Sequence, residues 1–316
     1  MQAPVRSLSL AFLLSRPWSK EPSFRSFSSS SSSNYSNQSR GGLPRFYSEI
    51  LPSSQGSVVR VKGDEFWHMT RVLRLKVDDR VELFNGKGSL VEGCIQEIDQ
   101  SGLNFVALEN PKLVSPLDTQ WHVFAAFGTL KGGRADWLVE KCTVCIRHAS
   151  LQVLLYPFNN LLAAFIVSSS QELGANSITP LLTERSPSIS ENRVERLLRV
   201  SLAAAKQCQR LHEMSLNPPM KVSELIPHVT KSTLSFIALA EAMPVFSALS
   251  SRRKESSGLL IIGPEGDFTE MEKNMIVDAG ATAVGLGPHR LRVETATVAL
   301  LATLMLWSGH QRLANS

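Results

Sequence analysis

Between Gly258 and Phe268 the chain reads Gly-Leu-Leu-Ile-Ile-Gly-Pro-Glu-Gly-Asp-Phe, an apolar run that leaves no polar face for water. A run this short, closed by Gly-Pro, predicts a strand buried on both faces, as in a parallel sheet, ending in a tight loop. The pattern then recurs. Ala283-Val284-Gly285-Leu286 is strand-like, Gly287-Pro288 is its turn, and residues 289–295 lead into a helix predicted over about 296–307. In open α/β sheets ligands bind outside the carboxyl ends of the strands, where such loops gather. Glycine in those loops lets the backbone approach a ligand closely.

Upstream, strands and helices alternate. Buried strands are predicted over 121–127, 177–182 and 234–239, with a Lys131-Gly132-Gly133-Arg134 turn opening a helix over 135–143. An amphipathic helix is predicted over 194–206, with Arg193, Arg196 and Arg199 on its exposed faces. This alternation predicts an α/β domain with a mainly parallel sheet across 121–316. Residues 43–112 read instead as a small β-rich domain, with strands over 58–61, 80–84, 90–95 and 105–108 and a helix over 65–75. Asn85-Gly86 is the hairpin turn of that domain. Residues 111–120, with Pro111 and Pro116, form the linker.

Two glycine turns in order, separated by one helix and followed by an Arg-x-Glu-Thr-Ala helix start, are more specific than either alone. Ile262-Gly263-Pro264-Glu265-Gly266, Leu286-Gly287 and Leu291-Arg292-Val293-Glu294-Thr295-Ala296 closely resemble the RsmE family of SPOUT-class RNA methyltransferases. His68-x-x-x-Val72-Leu73-Arg74 adds to the resemblance, which covers roughly 44–143 and 172–310. It implies a SPOUT domain with a C-terminal trefoil knot, preceded by a PUA-like barrel that grips RNA. The implied activity is S-adenosylmethionine-dependent methylation of N3 of a uridine in 16S-type small-subunit ribosomal RNA. The implied assembly is a homodimer with each site completed across the interface.

Carried onto this chain, the resemblance places the cofactor against Leu239, Gly263, Pro264, Glu265, Gly266, Leu286, Gly287, Leu291 and Thr295. Arg45, Arg71, Arg74, Lys131 and Arg134 are the expected RNA contacts; such charges position RNA without reading its sequence. A sulfonium methyl is already activated, so the protein must align it and exclude water. The nucleophilic form of uridine N3 is an anion, which a positioned arginine stabilises. Arg292 is the first candidate for that role and Arg210, in a segment expected near the site, the second. Glu294 is expected to orient Arg292 or to cap its helix. Asp267 departs from the family, which has a second glycine there; if φ must be positive at that position, the loop is crowded.

Composition bounds the alternatives. The 316 residues are 43% hydrophobic with net charge +5, enough core for two domains and a charge suited to an anionic partner. Of the four cysteines only Cys142 and Cys145 are close, without a second pair or a histidine at ligand spacing, so neither metal nor disulfides are expected. The absence of Gly-x-Gly-x-x-Gly after a strand disfavours a dinucleotide enzyme. Residues 1–40 are basic, serine-rich and nearly free of acid, the composition of an organellar transit peptide or a disordered tail. With the resemblance, this predicts a plant-type organellar homologue, plastid ahead of mitochondrion. The competing functional readings are a catalytically impaired RNA-binding protein and a SPOUT methyltransferase acting on another RNA.

Residues 144–171 break the family pattern. They hold no acidic residue, and Pro157-Asn159-Asn160 interrupts the apolar run, so they do not read as a membrane span. Without them, Glu140-Lys141-Cys142-Thr143 runs into Glu172-Leu173-Gly174-Ala175, one helix with a glycine stop. Codons for Val144 begin GT and one for Gln171 is CAG, the dinucleotides that bound introns. The segment is therefore expected to be a translated intron rather than an evolved insertion.

Overall fold

The computed structural model describes residues 42–116, 119–143, 174–252, 255, 257–287 and 289–313. The expected transit segment and the 144–171 segment lie outside the described residues. So does Cys145.

The first layer of structure is a curled sheet. Strands β1 (Arg45–Tyr47), β2 (Val58–Val61), β3 (Arg80–Phe84), β4 (Ser89–Ile98), β5 (Leu103–Ala107) and β6 (Lys112–Leu113) join in the order β1-β3-β4-β5-β2, with β6 on β4. A register shift between Ile95 and Glu97 bends β4, as a bulge does where a sheet curls. Val81, Leu83, Val91, Ile95, Leu103 and Phe105 alternate inward and fill the core. The helix expected over 65–75 is α1 (Gly63–Trp67) followed by a π-helical turn, His68–Val72. Arg74 then takes a left-handed φ of 55°. The Asn85-Gly86 turn is a four-residue loop in which Asn85 Oδ1 accepts from the N–H groups of Lys87 and Ser89.

The second sheet is wholly parallel among the described residues. After β7 (Gln120–Ala125) comes α2 (Arg134–Thr143), then β8 (Ser177–Leu182), α3 (Glu191–Cys208), β9 (Ser215–Leu216), β10 (Met220–Lys221) and α4 (Val222–Lys231). β11 (Ser235–Ala238), α5 (Val245–Ser250), β12 (Ser257–Ile262), α6 (Glu270–Asp278), β13 (Thr282–Val284) and α7 (Val293–Leu313) complete it. The strand order is β10-β8-β7-β12-β11-β13, with β9 beside β8. This is the α/β architecture with a preceding half-barrel that the resemblance implied.

The apolar run of β12 is explained by its central place. Leu260 and Ile262 face a core with Trp121, Leu138, Leu197 and Leu304, while Leu259 and Ile261 face a second core with Phe124, Leu225, Phe268 and Ile276. A strand covered on both faces has no position for a polar side chain. Among the described residues no helix is long and apolar enough to cross a membrane.

The β3–β4 loop docks the half-barrel onto the second sheet. Gly88 N donates to Leu211 O at 2.8 Å and Glu213 N to Gly86 O at 2.7 Å, around a bridge between Lys87 and His212. Gly86 and Gly88 have φ of 71° and 89°, and a Cβ on either would strike the side chain of Glu213 or His212. Gln209 Nε2 adds a bond to Arg45 O at 3.1 Å.

Candidate active site

Three loops at the carboxyl ends of β11, β12 and β13 surround a cleft with about 590 Å³ of empty space, its open mouth included. Leu239 and Ala240 line it from the first loop, Gly263, Pro264 and Glu265 from the second, and Leu286, Gly287 and Leu291 from the third. The lining is largely backbone and aliphatic. Leu239 N donates to Val284 O at 3.0 Å and Gly285 N to Met243 O at 2.8 Å, which ties the first loop to the third.

The second loop is a tight turn. Asp267 N donates to Pro264 O at 2.8 Å, closing the turn over Glu265 and Gly266. Gly263 allows the ring of Phe268 to lie where a side chain would be: a Cβ there would sit 2.9 Å from it. Asp267 has φ of 67°, so the position does demand a left-handed residue. Aspartate tolerates that conformation better than most non-glycine residues because its short side chain bonds locally. Here Oδ1 accepts from Phe268 N at 2.8 Å. The crowding expected at Asp267 is thus met by a local hydrogen bond. Thr269 and Glu272 then form a capping box that starts α6, and Glu272 also accepts from Glu184 N at 2.9 Å.

The structure brings seven of the nine expected cofactor residues to the cleft: Leu239, Gly263, Pro264, Glu265, Leu286, Gly287 and Leu291. Gly266 and Thr295 are not on its wall. Gly266 turns toward Arg185, whose Cδ lies 3.1 Å from where a Cβ would be and whose guanidinium donates to the Gly266 carbonyl. Thr295 is exposed on α7, which begins at Val293, three residues earlier than expected. Val293, Ala296 and Leu300 of that helix line the cleft, as does His289. These were missed because an amphipathic period does not say which apolar residues of a helix face a cleft rather than a core.

The charged candidates separate. A hydrogen bond from Arg134 holds the Glu265 carboxyl below the usual range, and the charge of Arg292, exposed and not among the cleft-lining residues, adds to it. Glu294 sits in the first turn of α7, where a carboxylate favours the helix N-terminus, and faces Arg134. It is 7% exposed, with Oε1 3.7 Å from Arg134 Nη1. Arg210 is not at the cleft. Only 5% exposed, it donates to Ala175 O at 2.8 Å and Thr143 O at 3.3 Å, and so ties the end of α2 to the residues before β8. The reason is local: Gln209 ends α3 in the left-handed conformation and turns the next side chain inward.

The expected RNA contacts also divide. Arg45 pairs with Glu82 at 2.9 Å. Arg134 pairs with Glu265. Arg71, Arg74 and Lys131 are exposed, and no ion pair holds them among the described residues. Arg193, expected on an exposed face, instead donates to the carbonyls of Gly128 and Leu130. Cys142 is fully buried and its thiol is pushed up to about 12 by burial, which makes it a packing residue. Among the described residues no cluster of three or more potential ligands could hold a metal.

Comparison with known proteins agrees with this geometry. A family model described as "RNA methyltransferase domain" matches residues 149–305, and one described as "RNA methyltransferase PUA domain" matches 61–107. The parallel sheet extends beyond the first match to β7, at Gln120–Ala125. The chain is 23% identical over 272 residues to ribosomal RNA small subunit methyltransferase E of Bacillus subtilis, covering 83% of this chain and 96% of that protein. It is 29% identical over 143 residues to the protein of the same name from Aquifex aeolicus, covering 44% and 61%. A putative methyltransferase of Legionella pneumophila, solved with bound S-adenosylmethionine, superposes with a TM-score of 0.62 at 22% identity over 84% of this chain and 98% of that one. A probable rRNA methyltransferase of Porphyromonas gingivalis gives 0.63 at 24% identity over 85% and 99%. Those structural likenesses concern the fold.

Proposed function

We propose that this chain, a member of the ribosomal RNA small subunit methyltransferase E family of SPOUT proteins, transfers a methyl group from S-adenosylmethionine to N3 of a uridine in small-subunit ribosomal RNA. The observation that carries the proposal is the cleft at the ends of β11, β12 and β13, with Gly263, Gly285 and Gly287 on its wall. The residues present fit the cofactor. Gly287 has φ of 127°, which no side chain adopts without strain, and the aliphatic wall of Leu239, Leu286 and Leu291 leaves backbone groups to recognise the polar parts. The relatives named above act on small-subunit ribosomal RNA by their names, and the Legionella protein binds S-adenosylmethionine.

The bound cofactor would supply an activated methyl, so the chain's work is to bind, orient and exclude water. The three loops bind. Gly263 and Gly287 bring backbone close, and the apolar wall keeps water from the reacting carbon. Arg292, beside the cleft-lining Leu291 and Val293 at the start of α7, is the group proposed to stabilise negative charge that develops on the pyrimidine. Arg71, Arg74 and Lys131 offer exposed cations to phosphates. Residues 1–40 support import into an organelle, plastid before mitochondrion, where the RNA would be met. A second copy of the chain is the proposed partner in assembly, with the apolar α7 contributing and Leu306 42% exposed on it. Incubating the purified chain with methyl-labelled S-adenosylmethionine and small-subunit ribosomal RNA tests the function: label in the RNA supports it, and its absence with the cofactor bound leaves the reading of an RNA-binding protein.

A further inference from the structure

Arg134 joins the loop after β7 to two of the segments that bound the site. Its Nε donates to Lys131 O at 3.2 Å, in the loop after β7. Its Nη1 donates to the carboxylate of Glu265, which lines the cleft from the loop after β12. The same nitrogen lies 3.7 Å from Oε1 of Glu294, in the first turn of α7 after β13. Val293 and Ala296, on either side of Glu294, line the cleft. The remaining oxygen of Glu294 is buried and has no hydrogen-bond partner among the described residues, so Arg134 is the cation that answers this carboxylate. A planar guanidinium can hold a carbonyl and two carboxylates in fixed directions at once, whereas an ammonium is a single point.

We propose that Arg134 is a positioning residue of the cofactor cradle: it ties the Glu265 loop to the start of α7, and it is not a contact to RNA phosphate. The inference rests on the cofactor reading given above. The hydrogen bond to Glu265 raises the Arg134 guanidinium and lowers the Glu265 carboxyl, so the pair is charged throughout the neutral range. Two carboxylates already offset the charge of this cation, which weakens its pull on a phosphate. The second cradle wall, α7, carries Arg292 at its start; fixing α7 through Glu294 therefore also fixes where Arg292 begins.

The test compares Arg134→Gln and Glu265→Gln in the full chain, with two measurements besides turnover. Calorimetric titration with S-adenosylmethionine alone is expected to show binding weakened about tenfold by either change, the scale of one lost charge-assisted hydrogen bond. The double variant is expected to weaken it little further, because both singles remove the same contact. RNA affinity measured across a salt series is expected to keep the wild-type slope. A phosphate contact would do the reverse: unchanged cofactor affinity for Arg134→Gln with the slope reduced by about 1, and that result overturns the proposal. If Arg134→Gln does not fold, Glu265→Gln keeps the cation and decides alone; wild-type cofactor affinity in it overturns the proposal. Failure of the unaltered chain to bind S-adenosylmethionine would instead remove the cofactor reading, and this inference with it.

Discussion

The backbone N–H of Ala175 donates to the carbonyl of Cys142 at 2.9 Å, although residues 143–174 lie between them in sequence. Arg210 reinforces the junction by bonding both Thr143 O and Ala175 O. If residues 144–171 are left out of the count, Ala175 stands five positions after Cys142. That is the separation of a 6→1 bond at a helix end, although Gly174 is not among the left-handed glycines.

The first prediction follows from this junction. A variant lacking residues 144–171 is expected to fold with the same sheet and to be more stable than the full chain. Closing a loop of this length costs about 3 kcal/mol, so its removal should raise the melting temperature by roughly 5–10 °C. Transcripts that lack the segment are expected to be found by sequencing across the junction. If every transcript retains it and the deletion melts no higher, the intron reading is wrong.

The cradle glycines give the second. Gly287→Val forces a side chain into a φ of 127°, a strain of about 1–3 kcal/mol, and should weaken S-adenosylmethionine binding roughly tenfold or more. Gly266→Ala should weaken it far less, because Gly266 faces Arg185 and is not on the cleft wall. Calorimetry on both variants checks the ranking; equal losses would mean that the second loop is read wrongly.

At Asp267 the conformation and the side chain can be separated. Asp267→Gly keeps the left-handed φ and loses the bond to Phe268 N, and should change stability by no more than about 1 kcal/mol. Asp267→Ala loses the bond and strains the backbone, a cost of about 1–3 kcal/mol. Thermal melts of the pair test this order.

The seam between the two sheets should respond to pH through Glu213. Burial raises its carboxyl, with Lys87 and Lys206 opposing, and Oε1 has no partner among the described residues. A carboxyl raised in the folded state favours folding when protonated. Its effect is therefore a loss of stability as pH rises from the ordinary glutamate range through the raised value. Glu213→Gln should remove that loss and melt higher than the unaltered chain at neutral pH, with the two converging in acid. Parallel melting curves at every pH would contradict it.

Much of the site's scaffold was legible in sequence because it depends on local signals. The two Gly-Pro turns marked the ends of β12 and β13, and Ser177–Leu182 has the bounds that its apolar pattern predicted. Other elements were hidden for physical reasons. Pro227 lies inside α4, where its ring reads as a breaker, and α5 spans only Val245–Ser250, too short for a period to show. The destinies of single arginines were least legible. Arg210, Arg193 and Arg134 look alike as exposed charges in sequence, yet each is held by groups far along the chain: Ala175 O, Leu130 O and Glu265. Only tertiary structure supplies those partners.

The role of Arg292 bears on chemistry rather than binding. Arg292→Ala should leave S-adenosylmethionine affinity nearly unchanged and lower methyl transfer by about a hundredfold or more, as when an electrostatic stabiliser is lost. Single-turnover assays with saturating cofactor check it. Normal turnover would remove the role from Arg292; the position of Arg210, away from the cleft, means that it could not take over.

Methyl transfer to uridine N3 in small-subunit ribosomal RNA is the reaction proposed for the cleft. Mass spectrometry of nucleosides, after the purified chain has acted on unmodified small-subunit RNA with S-adenosylmethionine, tests it most directly. Expected is 3-methyluridine at one position, and about a hundredfold less of it with Arg292→Ala over the same time. A methyl group on another atom, or on no nucleoside while the cofactor binds, would contradict it.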